Sequence, residues 1–425
     1  MGTPSKSNSD ARLSSGARAL LGFLQPAGGS AAAARVRDLP PQAWDEVLAI
    51  ALRHGVAPLL HRAMQSSGAL TALPEHVQTR LEEERRATAL VNLRNFGQFR
   101  GIARALRKRD IPVIALKGLH LAELVYRDIS LRPMSDLDIL VPRSQLKQAV
   151  ATLHGLNYGF AEDLSGAANA MLDIKCNIGL AHRDVDVWLE VHWSLDEPPE
   201  RYTAVLEAVW RSAIAARLGD ADTLVMSPEF LLLHVCAHLA CNHTFAFSLR
   251  ALCDIAEIVR AHPAIDWTVV VDHGRRHGWG RGVAAALRLA RDHLGAVVPA
   301  GTLASLGADA LDPDMLAEAM EHLVTCIDMP DEMRTAPNLM AIAGKHGPVE
   351  KLAALWARIF VPRAELALIY GVPESSARLA LYYAVRLRDL LRRYAASAWA
   401  LNVSDPQLAA TAARHARLAR WIDDA

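Results

Sequence analysis

The chain has 425 residues, more than one ordinary hydrophobic core supports, so we expect two or three domains. Lys plus Arg and Asp plus Glu balance at 46 each, which excludes a global basic field for non-specific nucleic-acid binding. Five cysteines, an odd number without a Cys-x-x-Cys pair, indicate reduced thiols in a cytoplasmic protein rather than a disulfide framework.

The N-terminal quarter predicts a leader followed by helices. Residues 1–15 are polar, rich in serine and without an apolar signal core, so we expect a short disordered leader over residues 1–18. Residues 19–110 form an N-terminal helical segment, in which Pro41 begins one helix and Pro74 a longer one.

At Ile111 the hydrophobic period changes from helical spacing to short apolar runs. The predicted strands cover Ile111–Leu116, Ser135–Val141, Tyr158–Phe160, about Asp173–Ala181 and Asp184–Trp193. Helices are expected over Leu119–Tyr126 and Arg143–Leu153. Residues 111–200 are therefore predicted to form one α+β domain.

From Pro199 onward helices dominate the prediction, as a helical domain over residues 201–345 and a C-terminal helical region over 346–425. The predicted helices cover about Pro228–His243, Leu249–Ala261, Trp267–His277, Val283–Leu294, Leu352–Tyr370 and Ser376–Ala400. Ser227 before Pro228 is typical of a capped helix start.

The segment Phe230–Leu249 is long enough to span a bilayer and lacks acidic and basic residues other than histidine. Its three histidines and one asparagine favour a buried helix, and we expect no membrane association.

Asp136 and Asp138 lie two residues apart within an apolar run. In a strand, both carboxylates leave the same face, while Leu137, Ile139 and Val141 enter a core. Two like charges held this close repel each other unless a cation lies between them. Mg²⁺, which prefers oxygen ligands and bridges carboxylates to phosphates, is the natural candidate.

Two further motifs accompany this pair. Gly118 follows a predicted strand and precedes a helix, where backbone N–H groups can approach an anion. In the strand Asp184–Trp193, alternate positions carry polar residues, and Glu190 lies deepest among the acids. We expect Glu190 to join the aspartate pair, and Asp184 and Asp186 to decorate an exposed surface.

A possible zinc-binding set lies on one face of a predicted helix, with three side chains at helical spacing: His234, His238 and Cys241. The His-Glu-x-x-His motif is absent and no other set of Cys and His completes four ligands, so we expect hydrogen-bonded histidines and no structural zinc. Motifs for Ser or Cys nucleophiles, a Walker A loop and a dinucleotide site are also absent.

The order of these motifs resembles the bacterial nucleotidyltransferase-like proteins of the DNA polymerase beta superfamily. The resemblance rests on Leu116–Gly118, Arg132–Val141 and Leu189–Trp193, and it continues into the helices around Leu231–His238 and Leu252–Ala256. It covers roughly residues 85–300 and implies a small mixed β-sheet with helices on one side.

The resemblance implies an EC 2.7.7-type enzyme that moves an NMP from an NTP to an acceptor hydroxyl or phosphate, releasing pyrophosphate. Asp136 and Asp138 would bind two Mg²⁺ ions, and Glu190 would bind the second ion and help deprotonate the acceptor. The acceptor, whether small molecule, peptide, protein or RNA end, stays open. Two alternatives also stay open: a toxin-like or peptide-tailoring transferase that modifies a protein, peptide or tRNA, and a non-catalytic nucleotide-binding scaffold.

The usual Gly-Ser phosphate turn of that superfamily is replaced here by Lys117-Gly118-Leu119. We therefore expect Lys117, Gly118 or Arg132 to contact phosphate, although a surface loop is an alternative for Arg132. Ser135 is interpreted mainly as a strand-start residue and is kept as a nucleotide-binding candidate. His238 is expected to line the nucleotide cleft, because the helical domain should pack beside the acidic face.

Overall fold

The computed structural model describes residues 12–26, 34, 36, 38–160, 175–196, 202–246, 248–326, 375–403 and 406–423, and isolated positions between 353 and 372. Side chains of residues 393–409 are not described. The helix predicted over Leu352–Tyr370 lies largely outside this part of the chain.

Helices precede and follow a single sheet. Helices α1 to α4 span Ser15–Leu24, Ala43–Arg53, Ala57–Ser66 and Glu75–Arg107. Helices α5 to α7 span Lys117–His120, Leu146–His154 and Thr203–Ser212. Helices α8 to α15 span Pro228–Ala237, Leu249–Ala261, Trp267–Arg276, Gly280–Leu294, Ala300–Ser305, Pro313–Thr325, Leu379–Val403 and Pro406–Asp423. Short π-helices extend α5 and α8 over Leu121–Val125 and His238–Asn242. Single 3₁₀ turns cover Leu70–Ala72, Arg143–Gln145 and Ala308–Ala310.

The sheet is mixed and has seven strands in the described part of the chain. Strands β1 to β7 span Ile114–Ala115, Asp136–Leu140, Tyr158–Phe160, Asn177–His182, Trp188–His192, Ile214–Leu218 and Ala221–Val225. Their order across the sheet is β3-β4-β5-β2-β1-β7-β6. The pairs β2–β5 and β1–β7 are parallel and the others are antiparallel. The α+β class and the mixed sheet between two helical regions are confirmed.

The hairpin of β6 and β7 corrects the prediction that helices dominate after Pro199. Strand β7 pairs with β1, so the sheet extends to Val225 and the boundary at residue 200 is too early for it. Gly219 and Asp220 form the two-residue connection, and Gly219 adopts the left-handed region with φ of 55°. This is a typical hairpin turn, but the sequence does not predict it clearly, because apolar and polar residues alternate only weakly on both sides of the turn.

The two faces of the sheet pack into different hydrophobic clusters. On one face, Leu137 and Ile139 of β2 pack with Phe99 and Ile102 of α4. On the other, Ile114 and Leu140 belong to the cluster formed by the N-terminal helices and α8 to α13. Since Asp136 and Asp138 alternate with Leu137 and Ile139, they lie on the face toward the C-terminal helices.

Helix α1 begins at Ser15, with the Ser14 hydroxyl accepting from the Ala17 amide. Ala17 is buried against the core, so the disordered leader predicted over residues 1–18 extends too far. Residues 1–11 lie outside the described part of the chain.

The charge-poor segment from Phe230 onward forms α8 and its π-helical extension, and every residue of α8 from Phe230 to Ala237 is buried. Ser227 lies at the predicted cap position, but its hydroxyl donates to Glu229 Oε2 at 2.8 Å instead of capping the helix. Among the described residues, no helix combines the length and the hydrophobicity needed to cross a membrane.

Candidate active site

The acidic residues of the candidate site lie on two neighbouring parallel strands. Asp138 of β2 pairs in register with Glu190 of β5. Asp136 precedes Asp138 by two residues on the same strand, so all three carboxylates leave the same face. The local alternation in the sequence predicts each strand separately, and the parallel register brings the two strands together.

His192 completes a cluster with two of these acids. Its Nε2 lies 2.9 Å from Asp138 Oδ1 and 3.3 Å from Glu190 Oε2. One ligand atom each from Asp138, Glu190 and His192 lies within 4.8 Å of the others. Asn177 Nδ2 on β4 also donates to Glu190 Oε2 at 2.9 Å and orients that carboxylate. Glu190 therefore converges with Asp138, whereas Asp136, also expected to share the site, does not belong to this cluster of ligand atoms.

Asp138 is buried and faces two cationic groups. Lys117 Nζ lies 3.6 Å from its Oδ1, the same oxygen that contacts His192. Burial alone would raise the pKa of Asp138, but Lys117 and the hydrogen bond from His192 lower it well below its usual range. Asp138 is therefore ionised at neutral pH.

Burial alone would lower the pKa of His192, but hydrogen bonds to Asp138, Cys176 and Glu190 raise it well above its usual value. Strand alternation places His192 on the same face as Glu190, but the sequence alone does not predict a role for it in the site. The signal that identifies it is its position two residues after Glu190 in the same strand.

Asp136 is only half-buried and has a different environment. Burial, followed by the charges of Asp138 and Glu190, raises its pKa, and Lys117 and Arg132 act in the opposite direction. This is the like-charge repulsion that the spacing of the pair predicts. Ser135 is exposed and its Oγ donates to Asp136 Oδ1 at 3.2 Å. It immediately precedes β2, in the position of a strand-start residue.

The turn after β1 is sterically constrained. Lys117 has a positive φ of 36°, which is uncommon for a residue with a side chain. A Cβ atom at Gly118 would lie 2.8 Å from Met134 Sδ and 2.9 Å from Arg132 Nη1. Any side chain at position 118 would therefore force the buried side chains of Arg132 and Met134 to shift.

Arg132 is 8% exposed, which rules out the alternative of a surface-loop arginine. Its Nη2 forms an ion pair with Asp254 Oδ2 of α9 at 3.1 Å. Asn92 of α4 donates to the carbonyls of Ile129 and Arg132 at 2.6 and 2.8 Å, and so fixes the loop that carries the arginine. Neither Asp254 nor Asn92 was predicted as part of the site, because both partners are distant in sequence.

Burial and the charge of Lys117 both lower the pKa values of the histidines in α8 and its π-helical extension. Burial lowers the pKa of His238 well below its usual value, and the charge of Lys117 lowers it further. Burial, then Lys117 and His192, lower the pKa of His234 to about 3. His238 Nε2 lies 3.2 Å from His243 Nε2. The cleft location expected for His238 and its contact with a nucleotide both stay predictions.

The helical alignment predicted for His234, His238 and Cys241 is altered, because α8 changes to a π-helix at His238. Within the described part of the chain, the set of metal-binding side chains that converges is Asp138, Glu190 and His192. Two carboxylates and one imidazole form a donor set suited to a divalent cation once His192 has lost the proton that its raised pKa retains.

A comparison with protein-family models adds independent evidence. The model described as "Uncharacterised nucleotidyltransferase" matches residues 40–295, from just before α2 to the end of α11. The match therefore includes the N-terminal helices α2 to α4 as well as the sheet and the acidic site. A comparison with curated proteins found no significant match. The chain belongs to the uncharacterised nucleotidyltransferase family.

Proposed function

We propose that this protein is a metal-dependent nucleotidyltransferase of the DNA polymerase beta type. It would move an NMP from an NTP to an acceptor hydroxyl or phosphate and release pyrophosphate. The observation that carries the proposal is the register of β2 and β5, which holds Asp138 and Glu190 side by side with Asp136 on the same face. Family membership supports nucleotidyl transfer in general.

The side chains present fit a divalent metal site. Asp138 and Glu190 supply carboxylate oxygens and His192 an imidazole nitrogen within 4.8 Å of one another, and Asp136 adds a further carboxylate on the same face. Bound Mg²⁺ ions, two in our proposal, would lower the pKa of the acceptor and stabilise charge on the transferred phosphoryl group and pyrophosphate. Imidazole is a softer ligand than carboxylate, so a deprotonated His192 would also make the site suitable for Mn²⁺.

The roles of the protein groups follow from their environments. Glu190, oriented by Asn177, would accept the proton of the acceptor hydroxyl. Asp138 stays ionised because Lys117 and His192 stabilise its charge, so it can bind a cation without first losing a proton. Lys117 would contact phosphate when a metal ion replaces it beside Asp138. Gly118, Ser135 and His238 stay candidates for nucleotide contacts at the rim of this site.

The test is transfer of label from [α-³²P]NTPs to fractionated acceptors, run with Mg²⁺ and with Mn²⁺. We expect metal-dependent labelling that Glu190→Gln and Asp138→Asn reduce by at least about 100-fold, because each removes a charged metal ligand. Asp186→Asn is the matched control, since Asp186 is exposed and lies four residues before Glu190. Isothermal titration of Mn²⁺ into each variant provides a readout without turnover.

Two outcomes would contradict the proposal. Metal-dependent NTP binding without any labelled product would favour a nucleotide-binding scaffold, and full activity of Glu190→Gln would remove the proposed site. The chemical class of the labelled product would distinguish a small-molecule enzyme from a transferase that modifies a protein, peptide or tRNA.

A further inference from the structure

Two arginines lie together beside the acidic face. Arg132 Nη1 donates to the carbonyl of Pro133 at 3.5 Å, and Arg250 Nη1 donates to the same carbonyl at 3.1 Å. Arg250 is the second residue of α9, more than a hundred positions from Arg132. The tertiary fold therefore brings two guanidinium groups around one backbone oxygen.

Arg132 is compensated by Asp254, whereas no carboxylate among the described residues lies within ion-pair distance of Arg250. Among the described residues, Asp254 is the carboxylate that contacts Arg132, and it also accepts from Tyr126 Oη at 2.8 Å. Burial, followed by the charge of Arg132, lowers the pKa of Arg250 to about 10. Two like charges at half-buried and buried positions are costly unless a further anion lies near them.

Both guanidinium groups retain unused donors. Within the described part of the chain, the Nε atoms of Arg132 and Arg250 are buried without a hydrogen-bond acceptor. Buried polar atoms are nearly always paired, so an orphaned donor on each of two adjacent arginines indicates a missing ligand. An acceptor with several anionic oxygens would satisfy both.

Glycines adjoin both guanidinium groups. A Cβ at Gly118 would lie 2.9 Å from Arg132 Nη1, and a Cβ at Gly55 would lie 3.4 Å from Arg250 Nη1. Gly118 belongs to the turn that precedes the acidic strand, so Arg132 links this turn to α9.

We propose that Arg132 and Arg250 form a polyphosphate-binding pair, which holds the terminal phosphates of the nucleotide and the departing pyrophosphate. This inference rests on the proposed function and adds Arg250 as a substrate-binding residue and Asp254 as a positioning residue. The planar fork of arginine matches phosphate oxygens in a bidentate manner. Asp254 holds the fork of Arg132 in place, while the buried Nε of Arg132 has no acceptor among the described residues.

The experiment is isothermal titration of the full-length protein with inorganic phosphate, pyrophosphate and tripolyphosphate, with and without Mg²⁺. We expect affinity to rise with the number of phosphates and Arg250→Gln to weaken tripolyphosphate binding by about tenfold or more, as for other charge-assisted hydrogen bonds. The matched control is Arg260→Gln on the same helix, because Arg260 is exposed and pairs with Glu257 at 2.6 Å.

Arg250 also supports the loop at Pro133, so a purely structural role must be distinguished. Arg250→Lys keeps a positive charge but lacks the fork, and it should bind tripolyphosphate more weakly than the wild type while retaining its melting temperature. Unchanged tripolyphosphate affinity in Arg250→Gln, or a wild type that does not bind tripolyphosphate, would overturn the inference.

The outcomes separate this inference from the proposed function. Tripolyphosphate binding that depends on Arg250, without transfer from any NTP, would support the arginine pair and contradict the transferase. Transfer activity with an affinity that is insensitive to Arg250 would support the transferase and overturn the pair.

Discussion

Asp136 and Asp138 are two residues apart on one strand, yet their environments differ. Asp138 accepts from His192 and faces Lys117 at 3.6 Å, whereas Asp136 accepts only a neutral serine hydroxyl among the contacts described for it. The negative charge of Asp138 is thus compensated by cationic neighbours, whereas that of Asp136 has no cationic group in contact among the contacts described. Their substitution by the neutral amide should therefore have opposite effects on stability.

In metal-free buffer, Asp136→Asn is expected to raise the melting temperature, because it removes repulsion with Asp138 and Glu190. Asp138→Asn is expected to lower the free energy of unfolding by about 3 kcal/mol, since removing one partner of a buried ion pair leaves its counter-charge uncompensated. Differential scanning calorimetry with EDTA measures both effects, with Asp186→Asn as the exposed control. Equal stabilisation by both variants would show that Lys117 and His192 do not compensate Asp138.

At the scale of elements, the hairpin of β6 and β7 is a short pair of strands that the sequence pattern does not predict. Its turn depends on Gly219, whose amide also donates to Glu123 Oε2 at 2.6 Å. Its two strands add one edge to the sheet and pair β7 with β1, the strand before the Lys117 turn. The hairpin therefore supports the element that positions Lys117 and Gly118.

Gly219→Ala is expected to destabilise the protein by about 1 kcal/mol, because alanine is strained at positive φ. A Cβ there would meet only Phe96 at ordinary contact distance, 3.8 Å, so the cost is conformational rather than steric. Gly101→Ala in α4 is the matched control and should stabilise by about 0.5–1 kcal/mol, since its site is exposed, helical and open. Urea denaturation measures both changes, and a neutral Gly219→Ala would contradict the role given to the turn.

At the scale of the whole molecule, the two helical regions share one hydrophobic cluster although the sheet separates them in sequence. His54, directly after α2, connects them: its Nε2 lies 2.9 Å from the Val324 carbonyl and its Nδ1 accepts from the Leu249 amide at 3.2 Å. His54 therefore connects the N-terminal helices to both α9 and α13 by hydrogen bonds.

A second histidine contact joins α13 to the last helix and predicts acid sensitivity. His322 and His415 lie 3.3 Å apart and both are buried. Burial lowers the pKa of His415 to about 4; burial and then His415 lower that of His322 well below its usual value. Because the folded-state pKa values are depressed, the unfolded protein binds protons at these histidines before the folded protein does. The contribution of the neutral pair to the free energy of unfolding is therefore complete above about pH 6.5 and is lost as the pH falls toward 4.

We expect the free energy of unfolding to fall between pH 6.5 and 4, with a slope of up to about 1.4 kcal/mol per pH unit for each neutral histidine. Urea denaturation of the wild type and of the His322→Gln, His415→Gln double variant measures this slope. The double variant should show a shallower pH dependence, and an unchanged slope would assign the acid sensitivity to other buried histidines such as His120.

Local periodicity in the sequence was sufficient to predict the strands that carry Asp136, Asp138 and Glu190. The alternation of apolar and polar residues that indicates a strand involves only a few consecutive positions. It also gave α9, whose predicted bounds match those observed, Leu249–Ala261. Family resemblance added the expectation of a mixed sheet and of nucleotidyl transfer.

Tertiary structure alone decided which of these groups meet. The parallel register of β2 and β5 places Glu190 opposite Asp138 and brings in His192. Chain segments more than a hundred residues apart bring Arg250 and Asp254 to Arg132. Such contacts arise from strand pairing and helix packing between distant segments. The residues that neighbour each partner in the sequence therefore do not predict them.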